Sequence, residues 1–128
     1  MEHFISKTER SFCDSYGFSS AVAVGDLIIM SGVIGRTPDD QRFDSCEAEF
    51  EDAWKRIATT LESMGSSLDK IADMQSFHFD QQLEVMKAFM KVKSATLGDH
   101  KPTWTAVGAS GPAIPNARVE IRIIAEKR

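Results

Sequence analysis

In the C-terminal part of the chain every second residue is apolar, a pattern that predicts a half-buried β-strand. Between residues 117 and 125 one face of this strand is apolar, and its members are Ala117, Val119, Ile121, Ile123 and Ala125. The opposite face carries Arg118, Glu120, Arg122 and Ile124. We expect Trp104, from a strand over residues 103–109, to share this second face. A sheet face with a large aromatic, two arginines and a glutamate is typical of neither core nor solvent. It predicts a surface that meets another subunit and lines a cleft there.

Two helices are predicted from apolar residues that recur at three- and four-residue steps. The stripe of the first is Phe50, Trp54, Ile57, Leu61 and Met64, and that of the second is Leu83, Met86, Met90 and Leu97. Gly65 and Gly98 follow the stripes and predict the helix ends. Asp44, with Glu47 three residues later, predicts a capping box for the first helix, and Asp80 predicts the cap of the second.

Strand-like segments surround these helices, at residues 19–24, 27–31, 71–79, 103–109 and 117–125. The order is therefore β-β-α-β-α-β-β, an α+β class in which two helices cover one face of a mixed sheet. The chain has 128 residues, which predicts a single domain over 1–128. Only the N-terminal segment, 1–16, is expected to be loosely specified.

Composition argues against several classes of protein. The formal net charge of −4 argues against a protein held to a nucleic-acid phosphate backbone. No apolar run approaches the ~20 residues of a membrane span, and residues 1–5 lack the basic start of a signal peptide. Two widely spaced cysteines, Cys13 and Cys46, fit a reduced, cytoplasmic context. The three histidines have no metal-ligand spacing, so we expect no metal and no cofactor.

Four ordered motifs resemble those of one family. The run Val-Gly-Asp-Leu-Ile-Ile-Met-Ser-Gly at 24–32 resembles the hallmark strand pair of the Rid (reactive intermediate deaminase, or YjgF) family. The segments 65–71, 98–102 and 119–125 resemble its later signatures, so that the resemblance covers roughly residues 17–125. The resemblance implies a chorismate-mutase-like protomer assembled as a homotrimer, with three clefts between subunits.

The resemblance to the deaminating members is weakest on the penultimate strand. Those members have Pro-x-Arg-x-Cys/Thr-Val there, and the arginine clamps the carboxylate of the substrate. Here Trp104 stands at the arginine position and Ala106 at the Cys/Thr position. Phe18 replaces the usual tyrosine of the first strand, and Val33 replaces a frequent glutamine. With Ser76-Phe77-His78, these features resemble a divergent YjgH-like branch that lacks the clamp arginine.

The resemblance implies Glu120 as the catalytic residue, because it falls on the family's acidic position in the last strand. It implies substrate contacts from Phe18, Ser31, Gly32, Trp104 and Ala106. Since Arg118 and Arg122 flank Glu120 along its strand, we expect an ionised carboxylate there.

Structural roles remain open for these residues. Glu120 could belong to an interface ion network, and Trp104 could fill the abandoned clamp pocket or pack between subunits. Arg36 could replace the lost clamp, although a loop arginine is most often solvated.

We predict that the protein binds a small imine, enamine or carbonyl metabolite in clefts between subunits. A second part of this prediction is that it hydrolyses the bound metabolite. Without the clamp arginine, the protein is not expected to be a typical 2-iminobutanoate or 2-iminopropanoate deaminase. The alternative is a non-catalytic trimer that binds a metabolite or a protein partner. Neither nucleic acid nor a membrane is an expected partner, and the acidic net charge gives an endoribonuclease reading no support.

Overall fold

A computed structural model describes residues 1–111 and 113–128, and within them the chain forms six strands and three α-helices. The strands are β1 (Glu2–Phe4), β2 (Ala21–Val24), β3 (Leu27–Met30), β4 (Ile71–His78), β5 (Thr103–Gly108) and β6 (Val119–Glu126). The helices are α1 (Arg10–Tyr16), α2 (Cys46–Ser63) and α3 (Leu83–Leu97), and 3-10 turns occupy Lys7–Glu9 and Leu68–Lys70. The sheet order is β1-β2-β3-β6-β4-β5, with β4 and β5 parallel and the other neighbours antiparallel. The predicted α+β class with a mixed sheet is confirmed.

The N-terminal segment, 1–16, is more regular than expected. Its strand β1 pairs with β2, with Glu2 opposite Ala23, and Cys13 of α1 is only 1% exposed. A strand of three residues and a helix of seven are too short to leave a periodic pattern in the sequence. Both are held by contacts with the rest of the chain, which local periodicity does not report.

The helix ends are partly corrected by the structure. The N-cap of α2 is Ser45, not Asp44, because the Ser45 hydroxyl accepts the backbone N–H of Ala48 at 3.0 Å. Asp80 does not cap α3, which begins three residues beyond it; its carboxylate accepts the N–H of Gln82 instead. The predicted end at Gly98 is confirmed, and the positive φ of this residue, 59°, is one that glycine adopts readily.

The core lies between α2, α3 and one face of the sheet. The predicted stripe of α2 is buried throughout. The predicted stripe of α3 is wrong in part, since Leu83 is 68% and Met90 41% exposed. The buried residues of α3 are Ala88, Phe89, Val92 and Leu97. Two apolar stripes overlapped on this helix, and the one that contains the bulky Phe89 packs inward.

Strand register decides which face of the sheet each residue occupies. The apolar face predicted for 117–125 is buried, as expected. Trp104 was expected on the same sheet face as Glu120, and this prediction is wrong. Strand β5 pairs with β4 in parallel, and this register sets Trp104 opposite Met74 and Ala106 opposite Ser76. Met74 and Ser76 are fully buried under the helices, so Trp104 and Ala106 lie on the helix-covered face.

Candidate functional site

A cavity of about 300 Å³ lies beyond the end of β3, bounded by α1, by the segment that follows β3, and by β6. Four of the six residues predicted for the site line it: Phe18, Ser31, Gly32 and Glu120. The volume suits a ligand of small-metabolite size. The cavity is therefore the place where the chain brings most of its predicted site together.

Gly32 and Glu120 are in direct contact at the floor of this cavity. The pairing of β3 with β6 shifts by one residue here, since Ile29 lies opposite Ile124 whereas Val33 lies opposite Ile121. The shift is that of a β-bulge, a feature often found beside active sites. A Cβ atom on Gly32 would overlap the carboxylate of Glu120. Glycine at position 32 thus allows the Glu120 side chain to lie across the backbone.

The hydroxyl of Ser31 is occupied by the protein itself. It donates to the carbonyl of Ser19 at 2.7 Å, and the backbone N–H of Ser31 donates to the carbonyl of Ser20 at 2.9 Å. These bonds tie the bulge to the segment before β2. Ser31 therefore shapes the cavity, while its oxygen lone pairs remain available as acceptors.

The electrostatic surroundings of Glu120 differ from the expectation. Arg118 turns away to the fully buried Glu49, with Nη1 to Oε1 at 2.7 Å, and Arg122 donates to the carbonyl of Met30 at 3.4 Å. In the part of the chain that the structure describes, no cation pairs with Glu120. Burial consequently raises the pKa of the Glu120 carboxyl above its ordinary value. The expectation of an arginine-stabilised carboxylate is therefore wrong.

Trp104 and Ala106 do not line the cavity of their own protomer. The indole Nε1 of Trp104 donates to the hydroxyl of Ser76 at 2.8 Å, and that hydroxyl lies 2.8 Å from Nε2 of His78. Because the Ser76 oxygen receives the indole proton, its own proton is directed to His78. Burial lowers the pKa of the His78 imidazole, which favours the neutral ring that this bond requires.

Several residues of the cavity were missed at the level of sequence. They are Glu9, Phe12 and Tyr16, which enter it from the N-terminal segment, whereas Arg36, which enters from the loop after β3, was considered from the sequence as a replacement for the clamp. The spacing of Phe12 and Tyr16 by one helical turn was the available signal. It was overlooked because the segment was expected to be loosely specified.

Among the described residues, no three His, Cys, Asp or Glu side chains are grouped so that they could hold a metal ion. No described helix combines the length and apolar character needed to cross a membrane.

Comparison with known proteins points to one family. The family model described as Endoribonuclease L-PSP matches residues 9–127. The chain is 31% identical to RutC family protein YjgH of Escherichia coli (strain K12), over 91% of this chain and 87% of that protein. It is 30% identical to Protein HMF1 of Saccharomyces cerevisiae, over 87% of this chain and 84% of that protein. The solved structure of protein YJGH superposes with a TM-score of 0.85 at 28% identity, covering 99% of this chain and 95% of that one.

Proposed function

This chain belongs to the Endoribonuclease L-PSP family, also called the YjgF/Rid family, and we propose that it binds a small imine, or an enamine that tautomerises to the imine, and hydrolyses the C=N bond. Glu120 is the acid–base group of this reaction. The observation that carries the proposal is the position of Glu120, a carboxyl with a raised pKa on the floor of a metabolite-sized cavity. A general acid–base works best when its pKa lies near the operating pH.

The reaction adds one water molecule across the C=N bond. Water attacks the carbon of the protonated C=N bond while the Glu120 carboxylate takes one of the water protons, which gives a neutral carbinolamine. Glu120 then returns this proton to the nitrogen and the C–N bond breaks. The hydroxyl proton passes to the departing ammonia as the carbonyl forms, so that ammonium leaves. The carboxyl ends in the state in which it began, so no further reactant is needed.

A homotrimer completes the site in this proposal. The sheet face opposite the helices leaves Val24, Leu27 and Val107 between 41% and 44% exposed, and an uncovered apolar face supports self-association. Trp104 and Ala106 lie on the edge strand β5. In the trimer, this edge of a neighbouring subunit borders the cavity, and Ala106 and the part of the Trp104 side chain that the helices leave exposed lie near the ligand.

The substrate is not a typical 2-imino acid. A bidentate arginine holds a carboxylate strongly, and tryptophan at position 104 supplies no such anchor. The free cysteines Cys13 and Cys46 support a cytoplasmic location. The family description contains the word endoribonuclease, but the net charge of −4 does not favour RNA binding.

The test is Glu120→Gln, measured by ammonia release over a panel of imines and enamines. We expect at least a tenfold loss of turnover with assembly unchanged, because the amide cannot take up a proton at neutral pH. Glu126→Gln is the matched control, since it removes the same charge from an exposed position of the same strand. Within the panel, 2-iminobutanoate and 2-iminopropanoate should be poor substrates.

Two outcomes would contradict the proposal. Turnover that survives Glu120→Gln would remove the catalytic role of this residue. Ligand binding without turnover of any panel member would favour the alternative, a metabolite-binding trimer. Light scattering should give about three times 14.2 kDa, and a monomer would exclude the clefts between subunits.

A further inference from the structure

We infer that the ligand of this cavity carries a cationic nitrogen, a protonated amine remote from its C=N bond, and that Glu9 binds it. The inference rests on the proposed function, because it names the substrate class of the same cavity. It reverses the charge preference of a site built around a clamp arginine.

The one arginine of the described cavity wall is already paired. Nε and Nη2 of Arg36 donate to Oδ1 of Asp40 at 3.0 and 2.9 Å, and the guanidinium carbon lies 4.8 Å from the ring centroid of Phe12. Asp40 has a left-handed backbone, with φ at 57°, which is uncommon for a residue other than glycine. The turn thus holds the Asp40 carboxylate against Arg36. An anionic ligand would need the positive charge of Arg36, and this ion pair already offsets it.

Glu9 is held at the cavity wall with one oxygen engaged. Its Oε1 accepts the hydroxyl proton of Ser20 at 2.9 Å, and that hydroxyl in turn accepts the backbone N–H of Ser6 at 3.0 Å. Oε2 has no hydrogen-bond partner within residues 1–111 and 113–128. Glu9 is half-buried, so an ammonium group at this oxygen would form a charge-assisted hydrogen bond partly shielded from water.

The remaining wall is aromatic and favours a cation for a second, independent reason. Phe12 lies 4.8 Å from Tyr16 and 5.5 Å from Phe18 between ring centroids, and all three residues line the cavity. The faces of aromatic rings are electronegative and attract cations. Phe18 has no hydroxyl and so offers no donor to a carboxylate. The Arg36 guanidinium already lies over the face of Phe12, so the rings of Tyr16 and Phe18, together with Glu9, favour a cationic ligand.

The experiment compares three aldehydes of similar size by titration calorimetry on the full chain. The cationic probe is para-(dimethylaminomethyl)benzaldehyde, its neutral isostere is para-isobutylbenzaldehyde, and the anionic probe is para-(carboxymethyl)benzaldehyde. We expect the cation to bind about tenfold more tightly than the isostere, and the anion to bind most weakly. This preference should decrease with added salt, because an accessible charge pair is screened.

Glu9→Gln should bring the ratio of cation to isostere affinity to about one and leave the affinity for the isostere unchanged. The amide oxygen still accepts the Ser20 hydroxyl, so the wall is preserved. Glu9→Asp should retain part of the preference. Glu2→Gln is the control, since it removes the same charge from the N-terminal segment at an exposed site that pairs with Lys127.

Three outcomes would overturn the inference: tightest binding of the anionic probe, a cation preference that survives Glu9→Gln, or no binding of any probe. Its failure is distinguishable from failure of the proposed function. Glu120-dependent turnover of neutral imines without any cation preference would refute the inference alone. A Glu9-dependent preference without turnover would refute the hydrolysis alone.

Discussion

The helix-covered side of the sheet and the cavity beyond β3 each contain a buried or partly buried glutamate, but the two side chains have different surroundings. Under the helices, Glu49 is fully buried and both of its oxygens accept bonds from Arg118, at 2.7 and 2.8 Å. On the cavity floor, Glu120 of β6 has no cationic partner among the described residues. Arg118, two residues before it, pairs with Glu49 instead.

This difference shows how a single chain can contain a structural carboxylate and a reactive one. A carboxylate that is paired and hydrogen-bonded by a partly buried arginine supports the fold. A carboxyl that is partly desolvated, and for which no described cation is a partner, has a raised pKa, which brings it closer to the range in which a general acid–base works. Burial raises the pKa of Glu120, whereas Glu49 is buried and paired with Arg118.

The largest effect is expected from breaking the pair on the helix-covered side. Glu49→Gln leaves the charge of Arg118 half-buried without its counter-ion, and should lower the free energy of unfolding by about 3 kcal/mol. Urea denaturation at one fixed protein concentration measures it. The control is Glu47→Gln on the same helix, whose exposed pair with Lys91 should contribute less than about 0.5 kcal/mol. Equal losses of unfolding free energy in Glu49→Gln and Glu47→Gln would show that the buried pair contributes no more than the exposed one.

A smaller effect is expected from the hydrogen-bonded network on the same side. Trp104→Phe removes the indole donor to Ser76 and part of the ring that packs near Phe89, and should cost about 1–2 kcal/mol of stability. Ser76→Ala and the double variant complete a thermodynamic cycle, in which we expect a coupling of about 1 kcal/mol. Strictly additive losses would mean that this bond does not stabilise the fold.

The smallest effect, and one of opposite sign, is expected at the cavity. Because the folded-state pKa of Glu120 is raised, its favourable contribution to the free energy of unfolding is complete below its unfolded-state pKa, about 4.3. That contribution is lost as the pH rises through the folded-state pKa. Glu120→Gln avoids this loss, so its melting temperature should rise relative to that of the wild type as the pH increases above about 4. The gain should not exceed about 1 kcal/mol, since the carboxyl is partly solvated. A difference in melting temperature that does not change with pH would show that burial does not shift the pKa of Glu120.

Local pattern was sufficient for most of the secondary structure. The alternation over 117–125 and the stripe of α2 are both buried as predicted, because such periodicities report which side of an element avoids water. The pattern was insufficient for α3, where Met90 and Phe89 belong to competing stripes one residue apart. It was also insufficient for α1, whose aromatic residues acquire a role only through the cavity that they border.

By itself, the sequence determined the α+β order of elements and the family, and through the resemblance it indicated four residues that meet in one cavity: Phe18, Ser31, Gly32 and Glu120. Tertiary structure alone decided that Arg118 pairs with Glu49, 69 positions away, and that the parallel register of β5 turns Trp104 toward the helices. The physical reason is that periodicity records only whether a side chain faces water or protein. The partner it meets there depends on strand register and on how distant segments pack. That packing gives Arg118 to Glu49 and leaves Glu120 partly buried, which raises the pKa of its carboxyl.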